Sequence, residues 1–447
     1  MGLNDTPLSE RLQIAFFGCT NAGKSSLINA LTGQEVSVVS DKKGTTTDPV
    51  IKTMELGDLG PVAVIDTPGL DDDTEIGELR VKRTNEIFER ADMAVIVIDA
   101  FDLFGAAAGV KEVRDKIGGI DEFPDMPEEK ARIYKKRMEA TQAFIKKCEA
   151  GEKPYVIAVN KSEDFSDKIG TFAKADKSVR VIPVSATKKK GLDELKEAVI
   201  QAGIRAKKTK EPGLMISDLI RVGDTVVLVI PIDESAPKGR IILPQQQVIR
   251  DVLDAGGNVI CVKDTELAEL FDRRPSWGDE FADDQTRPAL VVTDSQVFKE
   301  VNAIVPEHIP LTSFSIVMAR YKKTLPGQVE SAKAIDTLKD GDTVLIAEGC
   351  THHRQCEDIG TVKLPRMLKS FTGKDIKIET SSGHGYPGDI SKYALILHCG
   401  GCMLNEQEMQ SRMKLAKKQT VPITNYGMAI AYMTGILDRA LAPFPEM

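Results

Sequence analysis

The stretch Leu12-Gln13-Ile14-Ala15-Phe16-Phe17-Gly18-Cys19-Thr20-Asn21-Ala22-Gly23-Lys24-Ser25-Ser26-Leu27-Ile28-Asn29-Ala30-Leu31 leaves little freedom in how this chain begins. An apolar run of strand length feeds a Gly-x-x-x-x-Gly-Lys-Ser loop, and a helical pattern follows at once; that is the context a phosphate-binding P-loop requires. The loop N–H groups and the helix N-terminus would face a β-phosphate. The Lys24 ammonium would reach the β and γ oxygens, and the Ser25 hydroxyl would bind Mg²⁺.

Further motifs follow in the order such a domain uses, each at the carboxyl end of an apolar run. Val62-Ala63-Val64-Ile65 ends in Asp66-Thr67-Pro68-Gly69, where Asp66 would orient Mg²⁺ through water and the Gly69 amide would sense a γ-phosphate. Tyr155-Val156-Ile157-Ala158-Val159 ends in Asn160-Lys161-Ser162-Glu163, which resembles the guanine-reading Asn-Lys-x-Asp. Val181-Ile182-Pro183-Val184 leads to Ser185-Ala186-Thr187, similar to the loop that supports the base. Gly44-Thr45-Thr46-Thr47-Asp48 lies where a switch threonine closes on Mg²⁺. These residues predict GTP binding by Gly18, Asn21, Ala22, Gly23, Lys24, Ser25, Ser26, Thr46, Asp66, Gly69, Asn160, Lys161, Glu163, Ser185 and Ala186. Hydrolysis would rest on Lys24, Thr46, Asp66 and Gly69. Glu163 stands where the motif has Asp; the longer carboxylate still reaches guanine N1 and N2 if its loop retreats by about one methylene.

Asn21 together with Gly44-Thr45-Thr46-Thr47-Asp48 resembles the potassium-dependent members of the TrmE-Era-like GTPases. That resemblance implies K⁺ beside the phosphates, held by Asn21 and switch carbonyls, and Mg²⁺ ligated by Thr46 as well as Ser25. Position 70 is Leu, where Ras-like proteins carry a water-orienting Gln. The site then needs another positive charge, which K⁺ supplies, and turnover should be slow.

Beyond this domain composition sets the limits. A chain of 447 residues should hold about three domains, and 42% hydrophobic with 28% charged residues describes a globular protein. A net charge of −8 argues against a nucleic-acid footprint, and apolar runs of strand length argue against a membrane span. Seven Cys, odd in number and partly clustered, do not make a disulfide framework; a reducing cytoplasm fits. The N-terminal Met1-Gly2-Leu3-Asn4-Asp5-Thr6 matches a myristoylation pattern too short to carry weight.

The expected fold class is α/β: a P-loop GTPase domain with a mixed, mostly parallel sheet over residues 1–210, then two smaller Rossmann-like domains over 212–305 and 306–447. Residues from about 102 to 150 read as a solvated, charged helical insertion, with docking of a partner as the alternative. Residues 207–213 and 304–310 read as linkers. The middle domain shows no catalytic constellation, Cys261 reads as a core residue, and dimerisation is its expected task. Gly341-Asp342-Thr343-Val344 echoes Gly223-Asp224-Thr225-Val226, a hint of two related units.

The last domain carries Cys350-Thr351-His352 and, after a long gap, His398-Cys399-Gly400-Gly401-Cys402. Each cluster follows an apolar run, Thr343-Val344-Leu345-Ile346-Ala347 and Tyr393-Ala394-Leu395-Ile396-Leu397, so parallel strands ending together would bring both to one sheet edge. On spacing alone a closed zinc site with three Cys and one His, or an iron–sulfur cluster on three thiolates, would both fit. A redox Cys-x-x-Cys needs no third thiol and fits less well. Cys356 reads as a bystander. Ser381-Ser382-Gly383-His384-Gly385-Tyr386-Pro387-Gly388 reads as a flexible loop, either folded over the metal with His384 lining the pocket or a plain surface loop.

A potassium-type GTPase domain, a siteless α/β module and a last domain with Cys-x-His and His-Cys-x-x-Cys together resemble the [FeFe]-hydrogenase maturation GTPases known as HydF. The resemblance covers the chain apart from the 102–150 segment. It implies a [4Fe-4S] cluster on Cys350, Cys399 and Cys402, with His352, His398 or His353 near an exchangeable fourth position. It also implies a homodimer, and a scaffold that assembles or carries a diiron subcluster precursor, works with radical-SAM hydrogenase maturases and delivers to apo-[FeFe]-hydrogenase. The competing reading is a TrmE- or Era-like GTPase of RNA modification or ribosome assembly with a structural zinc.

Overall fold

Six short strands build the first sheet: β1 (Leu12–Phe17), β2 (Ile51–Glu55), β3 (Pro61–Asp66), β4 (Met93–Asp99), β5 (Tyr155–Asn160) and β6 (Val181–Pro183). They lie in the order β2-β3-β1-β4-β5-β6, parallel throughout except where β2 runs against β3. The computed structural model describes residues 6–33, 50–71, 75–103, 128–163, 181–208, 213–232, 241–280, 287–349, 359–383 and 385–445. The chain divides into two compact units, Met1–Glu211 and Pro212–Met447.

In the first unit β1 and β4 are buried along their whole length, as central parallel strands covered on both faces must be. The covering helices are α1 (Lys24–Thr32), α2 (Glu75–Arg90), α3 (Glu128–Ala150) and α4 (Leu192–Lys208). One face of the sheet buries Phe16, Leu27, Val95 and Leu195; the other buries Phe17, Phe88, Ile96, Phe144 and Cys148. Phe144 and Cys148 correct the expectation of a solvated insertion over 128–150. The Phe144 ring sits 4.5 Å from Phe17 and 5.3 Å from Phe88, centroid to centroid, so α3 is the crossover helix joining β4 to β5 and part of the core. The rest of the expected insertion, 104–127, lies outside the described residues.

The second unit holds two four-stranded parallel sheets. β7 (Thr225–Val229), β8 (Asn258–Val262), β9 (Leu290–Thr293) and β10 (Leu311–Ser313) lie in the order β10-β9-β7-β8. β11 (Thr343–Glu348), β12 (Lys377–Ser382), β13 (Leu395–His398) and β14 (Ile423–Asn425) lie in the order β12-β11-β13-β14. Read from the first strand of each, both are 2-1-3-4. Around them run α5 (Leu243–Asp254), α6 (Leu267–Asp272), α7 (Phe298–Ile304), α8 (Phe314–Tyr321), α9 (Leu325–Ala332), α10 (Leu364–Thr372), α11 (Glu406–Lys418), α12 (Tyr426–Met433) and α13 (Leu437–Leu441).

The Gly-Asp-Thr-Val echo is structural. Gly223 and Gly341 turn with φ of 90° and 87°, and the carboxylates of Asp224 and Asp342 each accept the amide three residues back at 2.8 Å. Their carbonyls accept the first amides of β8 and β12, from Asn258 at 2.7 Å and Lys377 at 2.8 Å. The fourth strand of each of these two sheets ends in a residue that caps the next helix, Ser313 for α8 and Asn425 for α12.

The division between these sheets differs from the expected boundary at 306. Pro310 accepts the Val291 amide through its carbonyl, and β10 pairs with β9, so residues 311–313 complete the middle sheet. The chain's end returns to the same core with Met428, Leu437 and Phe444. β12 was not expected: Ser381 and Ser382, read as loop, pair with Ala347 and Glu348 at the sheet edge. Cys261 is exposed on the edge strand β8 rather than buried. Among the described residues no helix is long and apolar enough to cross a membrane.

Candidate functional site

The P-loop joins β1 to α1 and is tied to the base-reading loops behind it. Gly23 has φ of 88°, and a β-carbon there would collide with the Asn160 carboxamide, so only glycine fits. Asn160 donates from Nδ2 to the Ala22 carbonyl at 3.0 Å and accepts the Ala186 amide at 3.1 Å. Lys161 donates to the Asn21 carbonyl at 2.9 Å and pairs with Asp99 at 2.5 Å. Glu163 accepts from the Ser185 hydroxyl and from Thr187 Oγ1 at 3.0 Å, and the Ser185 bond foremost holds its carboxyl below the usual range. The longer carboxylate is thus lodged against the base-supporting loop.

The phosphate end is equally specific. Lys24 is buried and donates to the Gly18 and Cys19 carbonyls at 3.0 Å each, and burial lowers its pKa. Ser25 donates to Asp66 Oδ2, while Asp66 Oδ1 is buried with no hydrogen-bond partner. A hydroxyl beside an orphaned carboxylate oxygen fits Mg²⁺. Asn21 is exposed, at φ 63°. Ser26 is exposed at the start of α1, and Thr46 with the rest of the switch motif lies outside the described residues.

At the other candidate centre, β11 and β13 pair in parallel, with Ala347 opposite His398, so the two strands that lead toward the clusters end side by side. In a 2-1-3-4 sheet the first and third strands flank the switch point where ligands bind. The Cys399 amide donates to the Ala347 carbonyl at 2.8 Å, and its sulfur accepts the Gly349 amide at 3.0 Å. Gly401, at φ 65°, turns the chain toward Cys402, and its missing β-carbon leaves room for the Met409 sulfur. Burial foremost, then the neighbouring Cys399, raises the Cys402 thiol to about 11, against a lowering pull from Lys322. Two thiols on one turn and an amide aimed at sulfur suit an iron–sulfur cluster. Among the described residues no group of three metal-binding side chains is assembled; Cys350, His352, His353 and Cys356 lie outside them, as does His384.

His398 is placed otherwise than expected. It is fully buried, with Nδ1 2.7 Å from the Cys399 carbonyl and Nε2 2.7 Å from Arg412 Nη1. A guanidinium can only donate, so Nε2 accepts, Nδ1 donates, and no lone pair is left for iron. As placed, both ring nitrogens face protein partners, unlike the arrangement expected of a fourth ligand.

Family models now bear on both centres. The hydrogen maturase F dimerization domain matches residues 215–323, and the hydrogen maturase F tetramerization domain matches 326–443. A model described as a 50S ribosome-binding GTPase matches 13–161. The chain belongs to the hydrogen maturase F family. Relatives of the GTPase part include the GTPase Der of Nautilia profundicola, 38% identical over 112 residues, 24% of this chain and 23% of that protein. The tRNA modification GTPase MnmE of Chromobacterium violaceum is 36% identical over 111 residues, 25% of this chain and 24% of that protein. The chain thus spans about a quarter of the length of these relatives. Aquifex aeolicus Era bound to GDP·AlF4⁻ overlays 42% of this chain and 56% of its own, at 25% identity and a TM-score of 0.30.

In this hydrogen maturase F chain two arginines carry contacts that their neighbours in the chain do not announce. Arg412 joins His398 to Glu408, at 2.7 Å, to the Gly383 carbonyl, at 3.2 Å, and to the Tyr386 ring, 4.6 Å away. Arg137, in a run read as a solvated face, reaches Asp71 at 3.0 Å and Asp102 at 3.2 Å.

Proposed function

We propose that the chain is a GTP-hydrolysing scaffold of [FeFe]-hydrogenase maturation. It assembles or carries a diiron subcluster precursor on a [4Fe-4S] cluster held by Cys350, Cys399 and Cys402, and delivers it to apo-hydrogenase. What supports this most is the Gly349–Cys399 contact, which brings the residue before Cys350 to the sulfur of the distant Cys-x-x-Cys, within a chain of the hydrogen maturase F family. The cluster supplies an iron with an exchangeable position. Around it the chain's own part is to hold three sulfurs, stiffen one through the Gly349 amide, and keep His398 turned to Arg412. Radical-SAM maturases are the proposed partners, and self-association runs through the segments that match the dimerization and tetramerization models.

On the nucleotide side Lys24 exchanges two loop carbonyls for phosphate oxygens; Ser25 would hold Mg²⁺ and Asp66 would orient it through water, and the ion would neutralise charge developing on the leaving phosphates. Asn160, Lys161 and Glu163 grip the base. Asn21 and Thr46 complete the K⁺ and Mg²⁺ sites, and turnover is slow and potassium-stimulated. Nucleotide state governs encounters with partners and leaves the cargo's chemistry alone.

The test is transfer. Protein loaded anaerobically with cargo and incubated with apo-[FeFe]-hydrogenase should yield hydrogen evolution; the Cys402→Ser protein, loaded identically, should yield none. Equal activation by both would contradict the carrier reading.

A further inference from the structure

The end of the P-loop that faces a γ-phosphate already holds an anion and, behind it, a cation. Asp71 Oδ1 accepts the Thr20 amide at 2.6 Å, and Asp71 Oδ2 takes Arg137 Nε at 3.0 Å. Gly69, of the γ-sensing motif, lies against the same spot: a β-carbon on it would meet Thr20 Oγ1, the Thr20 nitrogen and Asp71 Oδ1. Arg137 is itself fixed. Its Nη1 bonds Asp102 at 3.2 Å, and Asp102 is only 3% exposed. Its backbone carbonyl accepts the Thr141 hydroxyl at 2.9 Å and the Cys19 thiol at 3.5 Å, which seats this turn of α3 on the P-loop.

We propose that Arg137 is an arginine supplied in cis for GTP hydrolysis, contacting the γ-phosphoryl group once that group displaces the Asp71 carboxylate from the Thr20 amide. This rests on the GTP-hydrolysis reading above. Two anions cannot share one amide, so the phosphoryl oxygen and Asp71 exclude each other there. The guanidinium fork suits carboxylate and phosphoryl oxygens alike, so the group that held Asp71 is already aimed at its replacement. Asp102 keeps its hold on Nη1 through the exchange and anchors the guanidinium. With Leu70 where a water-orienting Gln stands in other GTPases, catalysis leans on charge alone, and Arg137 adds a second positive charge to that of the proposed K⁺. In the reaction water oxygen bonds to Pγ, the bond from Pγ to the β–γ bridging oxygen breaks, and its electron pair leaves with GDP. The water's proton ends on the released phosphate. Arg137 moves no proton and only offsets charge on the γ oxygens and the bridge.

The full chain as Arg137→Ala and Arg137→Lys, beside wild type, decides this by single-turnover GTP hydrolysis and by binding of GDP and GDP·AlF4⁻. Both variants should hydrolyse bound GTP about 100-fold or more slowly and lose the extra affinity that AlF4⁻ confers, while GDP affinity stays within roughly threefold. Asp71→Ala should tighten GTP several-fold and leave GDP unchanged, since only GTP competes with that carboxylate. Wild-type rates in the Arg137 variants would overturn the proposal. So would a parallel fall in rate and GDP affinity, the mark of a merely structural tie. A wild type that binds GTP without ever hydrolysing it would instead remove the reading beneath.

Discussion

The Gly349 amide donates to the Cys399 sulfur at 3.0 Å, across half a hundred residues of chain. Parallel pairing of β11 with β13 brings the two together, so the backbone that leads toward Cys350 is held against the Cys399 thiol. An amide that donates to a thiolate stabilises its negative charge and steadies its direction, which is one way a protein tunes an iron–sulfur centre.

His398, one residue before that thiol, should matter for stability and not for ligation. Replacing it by Ala strands Arg412 Nη1 in the core and opens a cavity, at a cost of about 2–3 kcal/mol. Denaturant unfolding should show that loss, while the reconstituted protein keeps its iron and an unchanged EPR spectrum. A changed spectrum with intact stability would return His398 to the ligand set.

Gly23→Ala should abolish binding of GDP and GTP together, by about 100-fold or more, since the methyl group meets Asn160 and the residue must hold φ of 88°. Equilibrium binding of a fluorescent GDP measures it. Loss of both nucleotides separates this variant from those at Arg137, which should spare GDP.

Replacing K⁺ by Na⁺ should slow wild-type hydrolysis about 10-fold or more. Asn21→Ala should be slow in both salts. A wild type indifferent to the swap would remove the potassium assignment and leave Arg137 as the main added charge.

Burial raises the Asp102 carboxyl to about 6, with the Arg137 charge pulling it down less strongly. Folded chain then holds a proton between about pH 6 and the ordinary 3.8 that unfolded chain has released, so this group favours folding most below that window and loses its contribution as pH rises through 6. Asp102→Asn lacks the titration. Between pH 4 and 7.5 the stability of wild type relative to Asp102→Asn should fall by about 1–2 kcal/mol, less than the full shift because the effective dielectric even of buried sites is well above that of a dry interior. Hydrogen exchange of β1 and β4 amides in the nucleotide-free chain reads it; a difference independent of pH would contradict the assignment.

What the sequence disclosed follows from how strongly each feature is written locally. The P-loop, Asp66-Thr67-Pro68-Gly69 and the buried strands carry their geometry in consecutive residues, and four letters, Gly-Asp-Thr-Val, hinted at two related units, whose sheets share one topology. β12 escaped because Lys-Ile-Glu-Thr-Ser-Ser is an edge strand whose partner, β11, specifies it through the backbone. The boundary at 306 was misread because Pro306 and Pro310 suggest a linker, though Pro310 needs only its carbonyl to join a sheet. Arg137 and Arg412 were illegible as sites: each acts through partners far away in sequence, and an arginine in a charged helix looks like any other.

The central claim is that three sulfurs from two distant clusters hold one iron–sulfur cluster at this sheet edge. Iron, sulfide and zinc analysis of the anaerobically reconstituted chain, with EPR after reduction, tests it most directly in wild type beside Cys350→Ala and Cys399→Ala. The account predicts a [4Fe-4S] complement and signal in wild type, and loss of most of both in each variant. Zinc in place of iron, or a cluster that survives without Cys350, would contradict it.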